Sequence, residues 1–254
     1  PPPTKAQRNP SGRTVLDRIA ELKEHVGGFL VTFVEREGRM QGIDLDAVKE
    51  VVEAAGRRVR VTAAGGVSTT EELAALDRLG ADAQVGMALY SGKMDLGDAV
   101  CAPMRSDRED GLWPTVVVDE LGRALGLAYS DAESVREAVR RGQGVYHSRS
   151  RGLWIKGETS GCTQELVRVD LDCDRDTLRF TVKQGGEGFC HLGTWTCWGE
   201  DRGLGRLLRR LQERVREAPE GSYTRRLLED PELLRGKLLE EAAELAEARG
   251  DDVA

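Results

Sequence analysis

The stretch from Asp170 to Trp198, DLDCDRDTLRFTVKQGGEGFCHLGTWTCW, concentrates side chains able to hold metal ions. Asp170, Asp172, Asp174 and Asp176 occupy every second position, with Cys173 between two of them, and Cys190-His191 and Cys197 follow. Carboxylate oxygens suit a hard cation such as Mg²⁺, and thiolates suit zinc. The alternation of residues 167–182, with their Val, Thr, Leu and Phe content, predicts one strand whose side chains swap faces at each step. The four aspartates then share one face and Cys173 points from the other, so two different metal sites are expected back to back. Alternating acids also describe the solvated face of an exposed strand, and a Cys often serves only as a small hydrophobe. Three cysteines and a histidine within 25 residues favour metal.

The 254 residues suit one large domain or two smaller ones. A net charge of -7 disfavours nucleic acid as a partner but leaves room for a small phosphorylated ligand. No run of 18 apolar residues predicts a membrane span, and no signal-peptide pattern opens the chain, so a cytoplasmic protein is expected. Cys101, Cys162, Cys173, Cys190 and Cys197 make an odd number, which fits reduced thiols and metal better than a disulfide framework. The first dozen residues, PPPTKAQRNPSG, read as a loop or a cut end.

The elements that must position these groups fall into three styles. Over residues 14–100, TVLDRIAELKEHV is predicted as a helix, GGFLVTFVE as a strand, DLDAVKEVVEAA as a helix capped by Asp44, and VRVTAAGGV as a strand. STTEELAALDRLG is predicted as a helix opened by Ser68 with Glu71 completing a capping box, and DAQVGMALYSG ends the pattern. Strands alternating with helices indicate a parallel sheet, and about three such units are too few to close an eightfold barrel. Gly65-Gly66 at a strand end and Gly86 after the next strand suit a phosphate cradle of backbone N–H groups, although glycine pairs also make plain turns.

On GGFLVTFVEREGRMQGID, TAAGGVSTTEEL and VGMALYSG, residues 12–104 resemble the last three strand–helix units of ProFAR isomerase, a (β/α)₈ barrel of histidine biosynthesis. The resemblance implies phosphate-site remnants at Gly65, Gly66 and Gly86. The family's two catalytic aspartates lie on earlier strands that this sequence lacks, so isomerase turnover is not expected.

Cys101 to Gly111 reads as a linker. WPTVVVDE, GRALGLAYS and GQGVYHSRS then read as strands, with the helix DAESVREAVRRG between the second and third. In SRSRGLWIKGETSGCTQ, Arg149, Arg151 and Lys156 flank Trp154, a composition that suits a phosphorylated, base-containing ligand but also a solvated hairpin tip. GLAYSDAES, HSRSRGLWIKGETSG, DCDRD and CHLGTWTCW, in this order, make residues 111–200 resemble phosphoribosyl-AMP cyclohydrolase. The resemblance implies an α+β domain in a homodimer that shares its zinc ligands across the interface. It assigns zinc to Cys173, Cys190 and Cys197, and magnesium to Asp172, Asp174 and Asp176. It implies hydrolytic opening of the N1–C6 bond of phosphoribosyl-AMP, with His191 as the proton-transfer candidate and Arg149, Arg151, Trp154, Lys156, Glu158 and Ser160 as substrate-binding residues. A structural role beside the zinc is the other reading of His191. Cys162 stands where the family usually has Asn or His, and the loop KQGGEGF is slightly longer than usual. A fourth thiolate opens a second reading, a non-catalytic dimerisation module stabilised by a closed four-cysteine zinc site. A zinc nucleoside deaminase is excluded, because neither half of H-x-E…P-C-x-x-C occurs.

From Leu204 the sequence predicts charged helices, with Leu234, Leu238, Ala242 and Leu245 on one face of the last. PEGSYTRRLLEDPELLRGKLLEEAAEL makes residues 204–254 resemble the first part of phosphoribosyl-ATP pyrophosphohydrolase. The resemblance implies magnesium at Glu240, Glu241 and Glu244. The further acidic motif that the family needs is not in this sequence, so diphosphatase activity is not expected from it alone. The expected whole is a partial (β/α)₈ segment, an α+β cyclohydrolase domain and an all-α segment, from a longer histidine-pathway fusion.

Overall fold

A computed structural model of the chain describes residues 12–39 and 41–248, which form two units divided after Trp198. The first unit opens with α1 (Val15–Leu22), β1 (Gly28–Thr32), α2 (Leu45–Ala55), β2 (Arg60–Ala64), α3 (Thr70–Leu79), β3 (Ala81–Gln84), α4 (Met87–Tyr90) and α5 (Leu96–Cys101). The strands form a three-stranded parallel sheet in the order β1-β2-β3. The helices bury Ile19, Val48, Val51 and Leu76 against it, together with Val61 and Ala63 of β2. Asp44 caps α2 as expected, its carboxylate accepting from the Ala47 N–H. On α3 the cap is one residue later than predicted: Thr69 and Glu72 form the box, not Ser68 and Glu71. Ser68 is buried, and the Glu72 carboxylate accepts from both the Ser68 and Ile43 N–H groups, tying two loops together and fixing the helix start.

The same unit continues with β4 (Trp113–Val118), β5 (Ala124–Ser130), α6 (Ala132–Arg141), β6 (Val145–Ser148), β7 (Gly152–Ile155), β8 (Gln164–Leu171) and β9 (Leu178–Gln184). These strands build a six-stranded sheet in the order β7-β6-β5-β4-β9-β8, antiparallel except for β4 beside β9. Tyr146, Phe180, Leu125, Val117 and Leu178 are fully buried in its core with Val135 of α6.

Two expectations are corrected here. Residues 167–182 are not one strand: the chain turns back between Leu171 and Leu178, so β8 and β9 are an antiparallel hairpin. The aspartates therefore leave the strand before their alternation ends, and no two-faced strand exists. Nor is Cys101 to Gly111 a detached linker, since Val100, Cys101 and Met104 pack against the second core.

The second unit holds α7 (Gly203–Arg216), α8 (Tyr223–Glu229) and α9 (Pro231–Glu247), with no residue of these helices buried. Among the described residues no helix is long and apolar enough to cross a membrane.

Candidate functional site

The loop after β9 carries two of the candidate zinc ligands. It folds back on itself through Phe189 N–H to the Trp195 carbonyl (3.0 Å) and Cys190 N–H to the Thr194 carbonyl (3.2 Å). Cys197 N–H donates to the Leu125 carbonyl of β5 at 2.8 Å, which anchors the loop to the sheet. Gly188 lies at φ 142°, where a side chain would meet the Thr194 carbonyl, so the fold-back needs glycine there. The Cys190 and Cys197 side chains lie close enough to influence each other's ionisation. The Leu192 N–H and the Thr194 hydroxyl draw the Cys190 thiol below its ordinary pKa, while burial and the neighbouring Cys190 push Cys197 up.

Lys156, at the end of β7, is 6% exposed and lies with its Nζ 5.4 Å from the centroid of the Phe189 ring. It donates to the Cys162 carbonyl at 3.3 Å. Burial lowers its pKa, and the nearby Cys162, Cys197 and Cys190 thiols act against that. For Cys162, burial raises the pKa, but the Glu187 and Gly188 N–H groups with Ser160 and Lys156 outweigh it, and the net direction is down. Lys156 thus lies within electrostatic reach of three thiols. Cys173 stands apart from this arrangement: it is exposed on the β8–β9 turn, 3.9 Å from Asp174 Oδ1. Among the described residues no three thiol or imidazole ligands come within 4.8 Å of one another.

The carboxylates of Asp172, Asp174 and Asp176 do meet, all within 4.8 Å. Asp172 Oδ1 accepts from the N–H groups of Asp176 (3.1 Å) and Thr177 (3.2 Å), which closes the turn. Arg175 sits in it with φ 67°, the left-handed region. Crowded like charges push the Asp174 carboxyl up, through its hydrogen bond with Asp172 and then the charge of Asp176. For Asp172, burial raises the pKa, but hydrogen bonds from Thr177 and its neighbours prevail and lower it. Asp170 does not join them; on β8 it pairs with Arg168 and with Arg179 (3.0 Å).

The predicted substrate-binding residues are spread over two aromatic supports. Arg149 lies 4.9 Å from the Tyr129 ring, and Arg151 lies 5.6 Å from the Trp154 ring. Trp154 also packs against buried Tyr146, at 5.7 Å between centroids. Glu158 and Ser160 are exposed on the following turn, and His191 is exposed beside Cys190. Gly65, Gly66 and Gly86 line one cavity of about 390 Å³ at the ends of β2 and β3, with Glu37 and Tyr90. A side chain at Gly65 would strike the Phe33 carbonyl and one at Gly66 the Gly42 carbonyl, so close backbone approach alone accounts for the pair. On α9, Lys237 bridges Glu240 (3.0 Å) and Glu241 (3.1 Å), and Glu240, Glu241 and Glu244 do not converge as a group of three.

Three contributors were not legible in the motifs. Phe189 is the buried neighbour of Lys156, and Gly126 leaves room for it, since a Cβ there would lie 2.1 Å from its ring and 3.0 Å from Cys197 Sγ. His147 Nδ1 lies 2.6 Å from Asp131, the N-cap of α6. Asp77 reaches Arg175 from α3.

Three family models match consecutive stretches. Residues 3–95 match "Histidine biosynthesis protein", 126–199 match phosphoribosyl-AMP cyclohydrolase and 204–253 match phosphoribosyl-ATP pyrophosphohydrolase. Histidine biosynthesis bifunctional protein his7 of Schizosaccharomyces pombe is 55% identical over 156 residues, 61% of this chain and 37% of that protein. The histidine biosynthesis trifunctional protein of Neurospora crassa is 56% identical over 159 residues, 63% of this chain and 18% of its own length. Bifunctional protein HisIE of Thermus thermophilus is 45% identical over 130 residues, 47% of this chain and 60% of its own. The chain spans less than two-fifths of the length of these two fungal relatives.

Proposed function

We propose that this chain, in which segments of three histidine-biosynthesis families follow one another, hydrolyses phosphoribosyl-AMP through residues 111–200. The observation that carries the reading is that Cys190 and Cys197 lie close enough to influence each other's ionisation, on the loop where the cyclohydrolase family match ends. Two adjacent soft donors, one of them easily ionised, suit zinc, and three clustered carboxylates suit magnesium. Cys190 and Cys197 of one copy with Cys173 of a second would hold the zinc; Asp172, Asp174 and Asp176 would hold the magnesium. The exposure of Cys173, away from the other two, supports a homodimer with shared ligands.

When bound, zinc supplies Lewis acidity that makes water nucleophilic at neutral pH, and magnesium supplies charge for a phosphate. Water adds to C6 of the adenine ring, the N1–C6 bond breaks and a proton passes to N1. His191 moves that proton. Arg149, Arg151 and Lys156 bind phosphate oxygens, Trp154 orients the base, and Glu158 and Ser160 hydrogen-bond the remaining polar groups. A cytoplasmic setting suits the reduced thiols.

A second reading has its own observation. Cys162 lies close enough to act on Lys156 together with Cys190 and Cys197, so a closed four-thiolate site in a non-catalytic dimerisation module competes. Hydrolysis of phosphoribosyl-AMP by zinc-loaded protein, followed by ultraviolet absorbance with and without chelator, separates the two. Chelator-sensitive turnover supports the enzyme; zinc-bound protein without turnover supports the closed site.

A further inference from the structure

We infer that Asp77 of α3 is a positioning residue for the acidic turn, because it draws the Arg175 guanidinium off the carboxylates of Asp172, Asp174 and Asp176. The inference rests on the proposal that these three carboxylates hold a divalent cation. Arg175 belongs to the turn itself, between Asp174 and Asp176 in sequence, and is the cation best placed to neutralise it. Its nitrogens go elsewhere. Nε and Nη2 donate to Asp77 Oδ1 at 2.8 and 2.7 Å, and Nη1 donates to the backbone carbonyl of Asp172. The three carboxylates lie within 4.8 Å of one another, and the hydrogen bonds of the Arg175 guanidinium go to Asp77 and the Asp172 carbonyl instead.

Two features make this contact a built one. Asp77 stands in the last turn of α3, where the helix dipole disfavours a carboxylate, so its stabilising partner has to come from outside that helix. Arg175 adopts φ 67°, a conformation that a non-glycine residue holds only at a cost, and its carbonyl accepts from the Arg105 N–H at 2.8 Å. The surrounding contact between the parallel-sheet segment and the six-stranded sheet is close. Arg136 of α6 donates twice to Asp98 of α5, at 2.9 and 2.6 Å, and Gly97 of α5 faces the Arg136 backbone without room for a side chain. The parallel-sheet segment therefore contributes to the cation site of the neighbouring sheet through one ion pair. With Asp77 removed, the freed guanidinium turns onto its own carboxylate neighbours and competes with a bound ion.

The test is titration of Mn²⁺ alone into the full chain, with free Mn²⁺ read by electron paramagnetic resonance. Asp77→Ala should weaken binding about tenfold, the low end of what loss of a partner supporting ligand residues costs. Arg175→Gln on the Asp77→Ala background should restore most of the affinity, whereas a merely structural role for Asp77 predicts no rescue. Asp77→Asn, of the same shape, repeats the measurement if the alanine variant melts early. Unchanged binding in the Asp77 variants, or a double variant no better than the single, overturns the inference and leaves the metal reading standing. Asp174→Ala binding Mn²⁺ as well as the unaltered chain overturns the metal reading itself, and the inference with it.

Discussion

Cys190 and Cys197 act on each other across one loop, and their thiols are shifted in opposite directions, Cys190 down and Cys197 up. The Leu192 N–H and the Thr194 hydroxyl favour the ionised form of Cys190, while burial disfavours that of Cys197. In metal-free protein iodoacetamide should therefore alkylate Cys190 faster than Cys197 near neutral pH, because the thiolate is the nucleophile. Cys101 should stay unmodified until the chain unfolds, since burial and the charge of Asp98 push its thiol up to about 12. Peptide mass spectrometry over time checks the order; early labelling of Cys101 would contradict the packing around α5.

The proposed sharing of zinc ligands between two copies predicts complementation. Cys173→Ala and Cys190→Ala variants should each lose zinc and turnover. Mixed in equal amounts after dissociation they should regain about a quarter of the activity, since half the dimers are mixed and each has one intact site of two. No recovery in dimers shown to have exchanged would refute ligand sharing.

Gly126→Ala should disrupt the thiol loop without touching a ligand. The added methyl would lie 2.1 Å from the Phe189 ring, which cannot retreat while Lys156 and the core enclose it. Overpacking of this kind costs about 1–3 kcal/mol. Denaturant unfolding measures the loss, and zinc stoichiometry should fall with it; a neutral result would show that the ring has room to move.

Asp131 predicts an acid limit for the first unit. Burial raises its pKa, but Ser134, which it caps, and His147 bring the net value below that of a free aspartate. A depressed carboxylate stabilises the fold above its unfolded pKa, about 3.9, and the contribution is lost as pH falls through the lower folded value. Asp131→Asn keeps a good helix cap but removes this pH dependence. Its stability relative to the unaltered chain should be lowest near neutral pH and recover below about pH 4; a pH-independent difference would contradict the assignment.

Much of the fold follows from local rules. The Asp44 cap, the helix from Ala132 to Arg141 and the strands on either side of it are legible because caps and periodicity report short-range geometry. The hairpin at Asp172–Thr177 is not legible, because aspartate at every second position continues the strand pattern through a turn that belongs to neither strand. The cap at Thr69 escapes for a related reason. Ser68 and Thr69 offer the same hydroxyl, and the Glu72 carboxylate that completes the box at Thr69 is also held by the distant Ile43 N–H.

The sequence by itself determined which donors exist, five thiols and an alternating run of acids, and the order of three family segments along the chain. Those are properties of residue type and spacing, and they hold however the chain folds. Only the tertiary structure decided which donors meet. Lys156 and Cys162 come under the Cys190–Cys197 loop because β7 and β9 belong to one sheet, and Asp77 reaches Arg175 across 98 positions of sequence. Such contacts depend on how two cores pack against each other, and no local pattern encodes that distance.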